Sequence, residues 1–88
     1  MPVSLTIHAV FKLPQRLPKG DTRRLGSRHT FKPDADNIAK LVKDALNGVA
    51  YADDAQVCEI VVRKQWSDFD AVNITIQTLE QGEGAPLA

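Results

Sequence analysis

Asp34 and Asp36 stand one residue apart, Lys40 follows Asp36 by four, and Asp53 and Asp54 form an adjacent pair further on. Carboxylates gathered this way repel one another, so either some keep a proton or a divalent cation neutralises them. Oxygen donors without a neighbouring cysteine favour magnesium, with manganese as a second choice; such ions use a few carboxylates and complete their octahedron with water and phosphate. The chemistry within reach is phosphodiester hydrolysis, in which the metal lowers the pKa of an attacking water and neutralises charge on the phosphate. Lys40 can pair with that phosphate or orient a carboxylate. Each residue also has an ordinary use: Asp34 and Asp36 as helix caps, Lys40 in an exposed i, i+4 ion pair, Asp53 and Asp54 as turn formers. His29 is open to phosphate contact, to proton transfer or to a plain loop role, and His8 reads as structural.

The elements that must position these groups follow from hydrophobic period. Val3, Leu5, Ile7, Ala9, Phe11 and Leu13 alternate with Ser4, Thr6, His8 and Lys12, which predicts a half-buried strand. Pro14, Pro18, Gly20, Gly26 and Pro33 punctuate an irregular loop whose length suggests function. Asp36 is the expected cap of a helix with Ile38, Leu41, Val42, Ala45, Leu46 and Val49 on its buried face, stopped by Asn47-Gly48. Asp36, Lys40 and Asp44 then form a row up the exposed side. After a turn at 51–54, Cys58, Ile60 and Val62 alternate with Glu59 and Arg63 in a second strand, and Val57 and Val61 suggest partial cover on both its faces. Residues 66–70 are expected to turn the chain into a third strand, with Val72, Ile74 and Ile76 inward, as an antiparallel neighbour of the second. The expected fold is α+β (α/β-like): a small mixed β-sheet with one main helix on a face, in the order strand, loop, helix, strand, strand. Residues 1–79 form the domain, and 80–88 are expected to be a flexible tail.

Eighty-eight residues make one domain at most, and a chain this short buries only roughly 60–65% of its unfolded surface, so help from a partner chain is plausible. No apolar run approaches the roughly 18–20 residues that span a bilayer, and the N-terminus lacks a signal peptide, which points to the cytoplasm. Cys58 is the single cysteine; this excludes an intrachain disulfide and suggests a buried small hydrophobe. The net charge of zero hides a split. Residues 12–32 carry seven basic side chains against Asp21, a local +6, and residues 33–88 carry the compensating −6. Such asymmetry suits a polyanionic partner, with a merely solvated loop as the other reading.

The run Lys32-Pro33-Asp34-Ala35-Asp36-Asn37-Ile38-Ala39-Lys40, then Asp44-Ala45-Leu46-Asn47-Gly48, then Asp53-Asp54-Ala55-Gln56-Val57, closely resembles the signature of RusA-type Holliday junction resolvases. The likeness continues into the strand ending at Arg63-Lys64, which resembles that family's closing strand and terminal lysine. It implies a homodimeric, magnesium-dependent endodeoxyribonuclease that binds four-way DNA junctions and nicks two strands symmetrically in recombination and repair, usually encoded by bacteria or their prophages. By position, the metal-binding catalytic carboxylates correspond to Asp34, Asp36 and Asp54, the catalytic lysine to Lys40, and Asp53 to an auxiliary ligand. Asn37, Asp44, Asn47, Gly48 and Gln56 belong to the motif and suit capping, turn geometry and support. Charge alone, and no matched motif, marks Arg16, Lys19, Arg23, Arg24, Arg28 and Lys32 for DNA contact; Lys64, which matches the family's terminal lysine, is expected to join them. The resemblance spans about Val3 to Leu79, and family members usually begin with a further strand, basic loop and helix. The rival expectations are a non-catalytic, truncated DNA-binding module and an assembly domain with no nucleic-acid role.

Overall fold

Alternation in the first apolar stretch does produce a strand, β1 (Val3–Lys12), and this strand is the centre of the molecule: Leu5 and Ile7 are fully enclosed and Ala9 nearly so. The structure, a computed structural model, describes residues 1–79; the expected tail at 80–88 lies outside them. A long loop leads to α1 (Ala35–Leu46), a short 3-10 turn spans Asp54–Gln56, and β2 (Val57–Ser67) and β3 (Ala71–Thr78) complete the chain. The result is a three-stranded mixed sheet with one helix on a face, an α+β fold in the expected order of elements.

The pairing differs from expectation at one point. β3 is not the neighbour of β2; the order is β2-β1-β3, with β1 parallel to β2 and antiparallel to β3. Sequence proximity favours a hairpin, but the most apolar strand gains most from having a neighbour on each edge. The link at 68–70 can step over it, because two strand spacings are about 9.5 Å and four chain steps reach about 14 Å. The crossing is tied down where Lys12 N–H donates to Asp70 Oδ1 (2.7 Å) and Leu13 N–H to the Ser67 carbonyl (2.8 Å). Trp66 and Ser67, expected in the turn, belong to β2.

α1 buries Ile38 against Leu5, Ile7 and Ala9, with Val42 and Leu46 half-buried around it. The predicted apolar face was too wide. Leu41 is 68% exposed and Val49, beyond the helix end, 82%. The helix stops at Leu46 because Gly48 takes a positive φ (77°), open to glycine without strain. One helix covers only the β1–β2 half of one sheet face. In register beside Leu5, Ile7 and Ala9, the β3 residues Ile76, Ile74 and Val72 remain 37–55% exposed. The same shortage of cover corrects one further expectation: Cys58 is exposed on the edge strand rather than buried, whereas Val57 is half-buried and Val61 39% exposed, the partial cover expected of β2.

Candidate active site

The loop delivers the chain to α1 through Pro33, so Asp34 and not Asp36 is the N-cap, with extended backbone (φ −69°, ψ 153°). Ala35, a strong helix former, already opens the helix. The Asp34 carboxylate makes no capping hydrogen bond, and Asp36 lies exposed in the first turn, where the helix dipole favours negative charge. Lys40 stands one turn above Asp36.

The second acidic pair is built by a reciprocal cap. Asp53 Oδ1 accepts from Ala55 N–H (2.9 Å), while Gln56 Oε1 accepts from the N–H groups of Ala52 (2.8 Å) and Asp53 (3.0 Å). Gln56 Nε2 also donates to the Met1 carbonyl (2.9 Å), anchoring the turn at the start of the sheet. Asp53 is thereby committed to turn geometry. Asp54 keeps Oδ1 buried with no hydrogen-bond partner, a costly arrangement for a carboxylate unless something else meets it.

A hollow of about 210 Å³ between α1 and β2 gathers Asp36, Lys40, Lys43, Asp44 and Asp54 over Ala39 and Ile60. Of the expected set, Asp36, Asp54 and Lys40 thus share one cavity, whereas Asp34 and Asp53 do not line it. Among the described residues no three His, Cys, Asp or Glu side chains stand close enough to hold one metal ion. Asp36 and the unmet oxygen of Asp54 are the donors that fit one, since magnesium commonly takes one or two carboxylates and leaves its other positions to water and phosphate. Lys43 was missed, although its spacing of seven from Asp36 puts it on the same row. Beneath the hollow, Tyr51 is buried and donates to the Lys43 carbonyl (3.2 Å). Burial first, then the Asp54 carboxylate and more weakly that of Asp44, push its phenol above the ordinary value.

Along the same edge of β2 lies a wider groove of about 650 Å³, lined by Arg28, Arg63, Lys64, Gln65, Thr30 and Ala35 among others. Ala35 in this groove and Asp36 in the hollow are consecutive, as are Val61 and Ile60, so the two cavities adjoin along α1 and β2. Arg63 could not have been singled out from sequence, because only the return of the loop onto β2 makes it a groove wall. That return is explicit: His29 N–H donates to the Lys64 carbonyl (3.0 Å), and Trp66 N–H to the Ser27 carbonyl (2.9 Å). Arg16, Lys19, Arg24, Arg28 and Lys32 are exposed, as the charge reading expects. Two cations are otherwise engaged. Arg23 forms an ion pair with Asp21 (2.7 Å), and Lys64 Nζ donates to the Phe31 carbonyl (2.5 Å).

His29 is 7% exposed, stacked on Phe11 at 4.0 Å between ring centroids and 4.4 Å from Trp66. It is a structural ring of the loop's anchor rather than an open phosphate contact. Burial first, then the charges of Lys64 and Arg23, lower its pKa from the ordinary 6.5. An unfolded chain therefore binds the proton more tightly, and stability is full above about pH 6.5 and declines as pH falls through the lowered folded value. We expect thermal melts of His29→Phe to lose part of this acid-side decline; a melting curve as pH-dependent as the parent's would show that His29 does not contribute.

With this geometry in place, comparison with known proteins gives two matches. The chain matches the endodeoxyribonuclease RusA family over residues 1–77. It is 35% identical over 81 residues to YqaN, an uncharacterized protein of Bacillus subtilis (strain 168), covering 86% of this chain and 57% of the relative. The chain thus spans little more than half the length of that relative. No solved structure matches.

Proposed function

Since this chain belongs to the endodeoxyribonuclease RusA family, we propose that it is a magnesium-dependent endonuclease that resolves four-way (Holliday) DNA junctions by paired symmetric nicks, in recombination and repair in the cytoplasm. The observation that carries the reading is the hollow shared by Asp36, Lys40 and Asp54, opening beside the basic groove of Arg28, Arg63 and Lys64. Asp36 and Asp54 would hold the cation, with Asp34 at the exposed helix cap as a further ligand and Asp53 keeping the turn in place. When bound, magnesium, or manganese in its stead, supplies activation of water and neutralises charge on the phosphate. Lys40 binds a phosphate oxygen and stabilises charge developing there. Arg16, Lys19, Arg24, Arg28 and Lys32 grip the junction backbones, and Lys64 fixes the loop through Phe31.

Two cuts at matching positions need two sites related by a dyad, so the working form is a homodimer. Support comes from the uncovered β3 residues Val72, Ile74 and Ile76, an apolar strip that a second copy can cover. Ile74→Glu is accordingly expected to shift the protein from dimer to monomer in analytical ultracentrifugation and to replace paired nicks with uncoupled single ones. A dimer that persists in this variant places the interface elsewhere.

The direct test is incubation with a labelled four-way junction, with and without magnesium, beside a linear duplex. Junction-selective, magnesium-dependent nicks support the reading. A second reading, a DNA-binding module without cutting, is favoured because, among the described residues, no three acidic or other ligating side chains are grouped to hold one metal ion. Salt-sensitive binding with no nick in any divalent cation would establish it instead.

A further inference from the structure

We propose that Phe31 is a stacking platform for an unpaired nucleobase at the branch point of the junction; this inference rests on the nuclease reading above. Four aromatic rings meet where the loop returns to β2. His29 and Trp66 are buried, Phe11 is half-buried, but Phe31 remains 51% exposed. Its ring meets Trp66 edge to face at 5.7 Å and His29 at 6.0 Å, so it rests on its neighbours without sinking between them.

The ring is held from several sides. The Arg23 guanidinium lies 4.8 Å from its centroid and 5.2 Å from that of Trp66. Asp21 fixes that guanidinium, accepting from Nε at 2.9 Å and from Nη2 at 2.7 Å. Lys64 holds the Phe31 carbonyl. A large apolar side chain fixed in this way yet half open to water is preorganised for a flat apolar partner. Below it, Nδ1 of His29 and Nε1 of Trp66 are buried with no hydrogen-bond partner, which a finished core seldom tolerates.

The chemistry of the surroundings selects a nucleobase among flat partners. Phe31 lies within the +6 stretch 12–32, and two residues it touches, His29 and Lys64, line the basic groove, so a strand seated in that groove lies next to the ring. A branch point offers bases freed from continuous stacking, and aromatic rings receive any base because every base has a π-face. Arg23 lies over one face of the ring, so the base stacks on the other.

The test places 5-iododeoxyuridine in turn at each branch-point nucleotide of a four-way junction, without divalent metal, and irradiates the complex while anisotropy reports binding. Parent protein and Phe31→Tyr are expected to cross-link at residue 31, located by mass spectrometry. Phe31→Leu, which keeps apolar bulk and the loop's anchor, is expected to lose that cross-link and bind roughly ten-fold more weakly, in line with the usual loss of one stacked base. Binding by the parent with no cross-link at residue 31 from any position overturns the inference and leaves the nuclease reading standing. So does a Phe31→Leu affinity equal to the parent's. Failure of the parent to bind the junction at all removes both.

Discussion

Asp36→Asn is expected to abolish magnesium-dependent nicking of a four-way junction while leaving junction binding in EDTA unchanged or slightly tighter. Loss of an outer-shell partner of a metal commonly costs about 10–100-fold in affinity or activity, so loss of a direct ligand should exceed roughly a hundred-fold. The fold should not suffer. Asp36 is exposed in the first turn of α1, where its charge contributes at most about 1 kcal/mol through the helix dipole. Binding is spared because removing a negative charge from a phosphate-facing hollow weakens repulsion. Asp54→Asn should behave alike. Asp53→Asn is the contrast: asparagine caps as well as aspartate, so the turn and the nicking should both survive. Nicking by Asp36→Asn at the parent's rate would remove that residue from the chemistry, and loss of nicking in Asp53→Asn would return Asp53 to the ligand set.

Ile7→Ala should be the most destabilising conservative change in the sheet. Its side chain is fully enclosed at the centre of β1, against Ile38 and the half-buried ring of Val42, Leu46 and Val62. Truncation of such a residue costs about 2–5 kcal/mol, a transfer loss plus the cavity left behind. In a domain this small each kcal/mol moves the melting temperature by about 4–8 °C, so a fall of roughly 10 °C or more is expected by circular dichroism. Val49→Ala, at a site 82% exposed beyond the helix end, should stay within about 0.5 kcal/mol. Both valine and isoleucine occupy predicted core positions in the sequence; a Val49→Ala loss as large as that of Ile7→Ala would mean that α1 continues further and packs differently.

Much of the fold is legible in the sequence. Alternation in Val3–Lys12 marks a strand because successive side chains point to opposite faces, and Asn47-Gly48 marks a helix end because glycine takes positive φ freely. The acids and Lys40 were identifiable because their spacing is local, within one helix start and one turn. What was misread depends on neighbours. Leu41 and Val49 share the helical period with Ile38, yet one helix on three strands has too little sheet beneath it to cover them all. Cys58 alternates as a buried residue does, but it lies on an edge.

By itself, then, the sequence determined the elements, the charge division and the acid motif, since each is set by interactions among residues a few positions apart. Only the tertiary structure decided that β1 lies between β2 and β3, that Asp36 and Asp54 share a hollow while Asp53 is spent on a cap, that Arg63 joins Arg28 in a groove, and that Phe31 stays open above buried His29 and Trp66. These outcomes rest on contacts between residues distant in the chain. They follow from which surfaces the small core can cover, a competition that local pattern does not encode.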